Sequence, residues 1–269
     1  MKLKRSDGSS REGESMRGKT KPLRLKEYSF RRNRAGYFLI APAVISIFLL
    51  SVYPLLRGIW ISFLNYDMTK ANTAAFGTFA GLKNYAVVFA NAKYQKAVTN
   101  SVVWTLVNLV AQVVFAMGVA LVLNEKLKGR AIFRTVSLLP WAIPAAISAL
   151  TFSALYDTKI GVFNMILLRL GILKESYSFL GNIATAMPAV IVANVWKSTP
   201  FLMIFILAAL QGVSYDMYES AAIDGAGKVK RFLYVTLPNI KEPMAVAVIL
   251  NAISIFNNFN AIWLLTKGG

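Results

Sequence analysis

Groups able to make or break a covalent bond are scarce in this 269-residue chain. It has no His and no Cys, so the commonest general base, the commonest metal ligand and all thiol chemistry are missing. None of its 12 Asp and Glu falls inside the long apolar runs, and no acid–base pair stands there for hydrolytic or proteolytic work. The stretch GAGKV, Gly225 to Val229, has the look of a phosphate loop. The Gly required five residues before Gly227 is Ala222, however, and Val229 takes the place of the Ser or Thr. The chain is instead rich in neutral polar residues at helical spacing. Asn251, Ser254, Ile255 and Asn258 fall at i, i+3, i+4, i+7, and Asn194, Ser198 and Phe201 at i, i+4, i+7, so each set shares one helix face. Amides and hydroxyls beside an aromatic ring suit a carbohydrate. The same groups glue helices together inside membranes, and spacing alone does not choose between the two.

The elements that carry these stripes are apolar. There are 22 charge-free residues between Arg34 and Arg57, 28 between Lys96 and Glu125, 22 between Arg134 and Asp157, and 24 between Glu242 and Lys267; a further run, Ala184 to Leu210, is interrupted only by Lys197. Crossing about 30 Å of hydrocarbon takes about 20 apolar helical residues. The pattern predicts five transmembrane helices, without the polar opposite faces that buried helices of a soluble core would show. Residues 1–34 hold twelve Lys and Arg and read as a disordered cytoplasmic leader ahead of an uncleaved anchor. Parity then puts 124–134 and 211–242 inside. The leader and these loops hold 20 of the 30 Lys and Arg against 8 in the outer segments, as the positive-inside rule requires. The formal charge of +18 thus needs no nucleic acid. Lys197 has no acid in any run to pair with and must face water, snorkel or meet another chain. The prolines at 42, 54, 140, 144, 188 and 200 predict kinks.

The loop from Gln211 to Glu242 predicts a compact helix–turn–helix. Ser214 or Asp216 caps a first short helix, with Glu219 at capping-box distance from Asp216; Gly225 and Gly227 stop it, and a second helix, Lys228 to Leu237, ends at Pro238. Glu219-Ser220-Ala221, three residues, Gly225, nine residues, Val235, one residue, Leu237-Pro238 resembles the EAA loop, E-A-A-x3-G-x9-I-x-L-P, of permease subunits from bacterial ATP-binding-cassette importers. YFLIAPAVI in the first run, GLKNY at Gly81–Tyr85, LLPWAIP at Leu138–Pro144 and FNNFNAIWLLTKGG at the end are similar to the maltose-type first permease of the sugar-importing branch.

That resemblance implies an all-α polytopic membrane bundle of the type I importer kind, over residues 35–269, in a bacterial inner membrane with the N-terminus cytoplasmic. Its relatives continue past the Gly-Gly with another outer loop and a sixth span, so the domain is expected to be incomplete at its C-terminal end. The implied partners are a second homologous permease, two ATPase subunits that bind ATP and Mg, an extracytoplasmic solute-binding protein, a carbohydrate and membrane lipid. The chain itself would hold no cofactor or metal and would not be an enzyme. Glu219, Ala221, Gly225, Leu237 and Pro238 would couple it to the ATPases. Asn194, Ser198, Phe201, Asn251, Ser254, Ile255 and Asn258 match the sugar-contacting places, and the departures at Ser254 and Ile255 leave the sugar open. Asn257 and Asn260 are expected on other faces, toward the partner permease. The rival readings are an ion-driven secondary carrier, which would need intramembrane carboxylates or broken-helix ion sites and repeated halves, and an assembly protein without organised polar stripes.

Overall fold

The computed structural model describes residues 25–65, 77–125 and 127–268, with side chains from Gly36 onward. The expectation for residues 1–24 lies outside the described residues. Residues 25–34 are not disordered but helical, in α1 (Leu25–Ile47). The chain divides into two compact units, residues 1–90 and 91–269.

In the first unit α1 passes through a five-residue π-turn, Phe48–Val52, into α2 (Tyr53–Ser62). The wide turn stands directly before Tyr53-Pro54. Pro54 has no N–H and its ring crowds the preceding turn, and the π-turn, closed by Tyr53 N–H donating to the Phe48 carbonyl, makes the room. Beyond it β1 (Leu64–Asn65) pairs with β2 (Thr78–Phe79), and Asn84, in α3 (Lys83–Ala90), donates to the carbonyls of Ser62 (3.0 Å) and Leu64 (2.9 Å).

The second unit holds the remaining helices. Asn91 caps the 33-residue α4 (Ala92–Asn124), accepting from the Lys93 amide at 2.9 Å, and Gly129, at φ 79°, introduces α5 (Arg130–Ala142). Then come α6 (Ala145–Leu155), α7 (Val162–Arg169) and α8 (Ile183–Gln211). Between α6 and α7 the amides of Ile160 and Lys159 donate to Asp157 Oδ1 and hold its carboxyl below the usual carboxylate range. A Cβ on Gly161 would collide with the Asp157 carbonyl, so only glycine fits there. The chain finishes with α9 (Tyr215–Ile223), α10 (Lys228–Arg231), α11 (Leu237–Phe256) and α12 (Phe259–Thr266).

Among the described residues four helical stretches are long and apolar enough to cross a bilayer: Gly36–Ser62, Ala92–Asn124, Ile183–Gln211 and Lys228–Thr266. The third expected span is not a straight crossing. Its halves α5 and α6 meet at 93°, because Pro144 drives Ile143 out of the helical region, to ψ 133°. The bent pair makes a fifth span if counted as one.

The face of α4 sets the core. Trp104, Asn108, Gln112, Ala116 and Ala120, all buried, recur every four residues and so form one ridge. Trp104 belongs to an apolar cluster with Phe152, Tyr156, Val190 and Ile255. Ala116 and Ala120 belong to a second with Leu202, Met203, Ile206, Ile240 and Ala247. Between the clusters lies a layer of amides from α4, α8 and α11: Asn108, Gln112, Asn194 and Asn251, each at most 3% exposed.

α11 stops at Phe256, and Asn258 restarts the chain as the cap of α12, its Oδ1 accepting from the Ala261 amide at 3.3 Å. A side-chain cap contributes about 0.5–2 kcal/mol. Asn258→Ala is therefore expected to raise amide exchange at residues 259–262 by about two- to thirtyfold, read by hydrogen–deuterium exchange in detergent micelles. Unchanged protection there would contradict the assignment of the cap.

Candidate substrate cavity and coupling elbow

The amide layer is a directed chain of hydrogen bonds. Asn108 Nδ2 donates to the Trp104 carbonyl (2.9 Å), Asn194 Nδ2 to Asn108 Oδ1 (2.8 Å), and Asn258 Nδ2 to Asn194 Oδ1 (2.9 Å). Ser198 Oγ reaches the same Asn194 oxygen at 3.4 Å. Beside it Asn251 Nδ2 donates to Gln112 Oε1 at 2.8 Å, and Trp104 Nε1 to the Ile255 carbonyl at 3.0 Å. Three helices are thus joined at one level. In a water-free interior such groups are satisfied by one another or at a cost.

The layer opens on one side into a polar cavity of about 420 Å³, lined by Trp141, Lys197, Ser198, Ser254, Asn257, Asn258 and Asn260. This divides the expected site residues. Ser198, Ser254 and Asn258 stand on the cavity wall. Asn194, Asn251 and Ile255 stand behind it, buried against α4. Phe201 is half-buried and backs Trp141, with ring centroids 6.4 Å apart. Spacing identifies a shared face but not which end of that face looks into the bundle. Asn257 and Asn260, expected on other faces, line the cavity too, because the helix breaks at Asn257 and the continuous 3.6-residue register is lost. Trp141 supplies the aromatic surface, and its position just before the Ile143-Pro144 break was the available signal.

Lys197 stands on the polar cavity and has, in addition, a partner that the sequence did not point to. Its Nζ donates to the Ile143 carbonyl at 2.7 Å, at the open end of α5, while its side chain forms part of the cavity wall. A cation there meets the negative end of a helix. Among the described residues no group of three or more His, Cys, Asp or Glu could hold a metal ion.

The 211–242 segment takes a different form from the expected one at two points. Ser214 is the cap of α9, accepting from the Asp216 amide at 3.3 Å, so Glu219 lies beyond capping-box range and is exposed. α9 ends in a Schellman closure. Ala226 N–H donates to the Ala221 carbonyl (2.9 Å) and Gly225 N–H to Ala222 (3.1 Å), with Gly225 at φ 75°. The closure sets the separation of Ala221 and Gly225 in this chain. The second helix does not end at Pro238. α10 runs through a π-turn, Phe232–Thr236, into α11, with Leu237 N–H donating to the Phe232 carbonyl. It is the device seen before Pro54, and it lets Pro238 sit within a continuous helix. Tyr218 and Thr236 hydroxyls, 3.0 Å apart, tie α9 back to that turn. Tyr215, Met217, Ile223, Val229 and Tyr234 are left exposed on the elbow.

Residues 112–269 match the family described as binding-protein-dependent transport system inner membrane component. The trehalose/maltose transport system permease protein of Thermococcus litoralis is 36% identical over 240 residues, which cover 89% of this chain and 79% of that protein. The sulfoquinovosyl glycerol transport system permease protein of Agrobacterium fabrum is 32% identical over 231 residues, 86% of this chain and 73% of that one. A likeness of fold alone extends to a crystal structure of a bacterial ABC transporter involved in the import of the acidic polysaccharide alginate. Its TM-score is 0.69 at 22% identity, covering 90% of this chain and 80% of that chain. This chain, a multi-helix membrane permease subunit, belongs to the family of binding-protein-dependent transport system inner membrane components.

Proposed function

We propose that this chain is one half of a permease that imports a carbohydrate, driven by ATP hydrolysis in two separate cytosolic subunits that bind the ATP and Mg. An extracytoplasmic binding protein delivers the sugar, a second homologous permease completes the pathway, and the N-terminus is cytoplasmic. The observation that carries the reading is the elbow. A short helix closed by Gly225 turns into a helix that continues through Pro238 as far as Phe256, with its Ser254 on the cavity wall. A push on such an elbow displaces the cavity wall as one body. Exposed Glu219 and the apolar side chains around it give a docking face of mixed chemistry for an ATPase subunit.

A carbohydrate fits the cavity because its wall offers hydroxyls and amides beside Trp141. The permeases that resemble this chain over most of its length are named for trehalose and maltose and for sulfoquinovosyl glycerol. Asn194, Asn251 and Ile255 act from behind: they hold Asn258 and α11 in place, and a tilt of α11 would bring them toward the cargo. Leu237 and Pro238 form the rigid junction between elbow and span.

In proteoliposomes containing the whole importer, Glu219→Arg or Gly225→Pro is expected to abolish sugar-stimulated ATPase activity while the permeases still assemble. Wild-type stimulation would refute the coupling role. Each cavity hydroxyl contributes about 0.5–1.5 kcal/mol through its hydrogen bond. The pair Ser198→Val with Ser254→Val should therefore cut uptake at low sugar concentration about tenfold, with the ATPase subunits still bound. Uptake equal to wild type would remove the cavity from the pathway.

A further inference from the structure

We infer that α5 is a strut, pinned to α8 at both ends, which fixes the position of the cavity's Trp141 to that of the elbow; the inference rests on the transport reading above. The upper pin is Lys197 Nζ on the Ile143 carbonyl, 2.7 Å. The lower pin is at Gln211, the last residue of α8 before the elbow. Its carboxamide lies against Arg134 Nη2, at 2.9 Å, and Arg130 Nη2; two guanidinium donors call for an acceptor there, which the amide supplies when its oxygen faces α5. The pins are 14 residues apart on α8, and 9 to 13 apart on α5. At 1.5 Å per residue these are spans of about 21 Å and about 14–20 Å, so two antiparallel helices run side by side with a polar rung at each end.

Chemistry favours both rungs. Lys197 places a cationic donor on the carbonyl at the negative end of α5, and the two arginines meet the side chain of the last residue of α8. Between the rungs the contact is apolar, with Trp141 against Phe201 and Leu138 against the cluster of Leu202 and Met203. The backbone is free to bend at Ile143-Pro144, where the halves of the span meet at 93°. Without the Lys197 rung, nothing polar among the described contacts holds that free end, and Trp141 stands two residues from it. Lys197, Arg130 and Arg134 are therefore positioning residues. α5 travels with α8 and the elbow, and the bend absorbs the movement relative to α6.

This sequence has no Cys, so a label introduced on it has no competing thiol in the same sequence. Spin labels on Leu139→Cys and Ile204→Cys, in the complete importer, should keep their separation within about 2 Å between nucleotide-free and ATP–vanadate states. Lys197→Met should broaden or shift that distribution and raise the KM of uptake about tenfold with ATPase stimulation kept, and Lys197→Arg should restore both. Arg130→Leu with Arg134→Leu should instead leave KM in place and lower the sugar carried per ATP. A wild-type α5–α8 separation that changes with nucleotide, or a Lys197→Met importer with unaltered KM and label distance, overturns the strut. Failure of the transport reading would show separately, as a wild-type importer with no ATP-driven uptake.

Discussion

The buried amide layer is the constraint on which this molecule is built. In a bundle surrounded by lipid, apolar side chains gain little by leaving the hydrocarbon for one another, so close packing and interhelical hydrogen bonds decide which helices meet and in what register. Here α4, α8 and α11 carry apolar clusters above and below a single polar level, and sliding any one helix along its axis would leave amides facing aliphatic side chains. Asn194 is the centre of this level. It donates to Asn108 and accepts from Asn258 and Ser198, so the side chain that fixes the register is also one contact away from the cavity.

The cavity follows from two interruptions in helices. Ile143-Pro144 breaks the span that presents Trp141, and Asn257 breaks the one that presents Ser254, Asn258 and Asn260. Irregular backbone at membrane depth is tolerated where it is enclosed by protein or lines a cavity, and here the freed groups are used. The Ile143 carbonyl receives Lys197, and Asn258 caps α12. On the opposite end of α11 the π-turn before Pro238 does the reverse, preserving continuity where a proline would have broken the helix. The elbow and the cavity thus lie at two ends of one continuous rod.

Much of this is legible in the amino-acid order. A charge-free run locates α4, and a run broken only by Lys197 locates α8, within a few residues; the Glu219–Gly225 spacing points to the elbow before its Schellman closure is seen. Asn108 and Gln112 pass unnoticed because they stand in a run read only for its lack of charge; their four-residue step from Trp104 to Ala120 is the signal that marks them. The fate of Lys197 is not legible at all, since its acceptor is a backbone carbonyl 54 residues away, freed by a bend whose angle no local pattern specifies. The faces of Asn257 and Asn260 fail for a related reason: helical periodicity presumes an unbroken helix. Pro238 misleads through its ordinary role as a helix stop, which the preceding π-turn cancels.

The most direct test of the account is the side of the membrane on which the elbow lies and what covers it there. A single cysteine at Ile223, which is 83% exposed, can be probed with a membrane-impermeant maleimide in right-side-out and inverted vesicles. Labelling is expected only in inverted vesicles, with loss of that labelling when the ATPase subunits are bound. Labelling from the outer side, or an elbow equally reactive with and without those subunits, would contradict it.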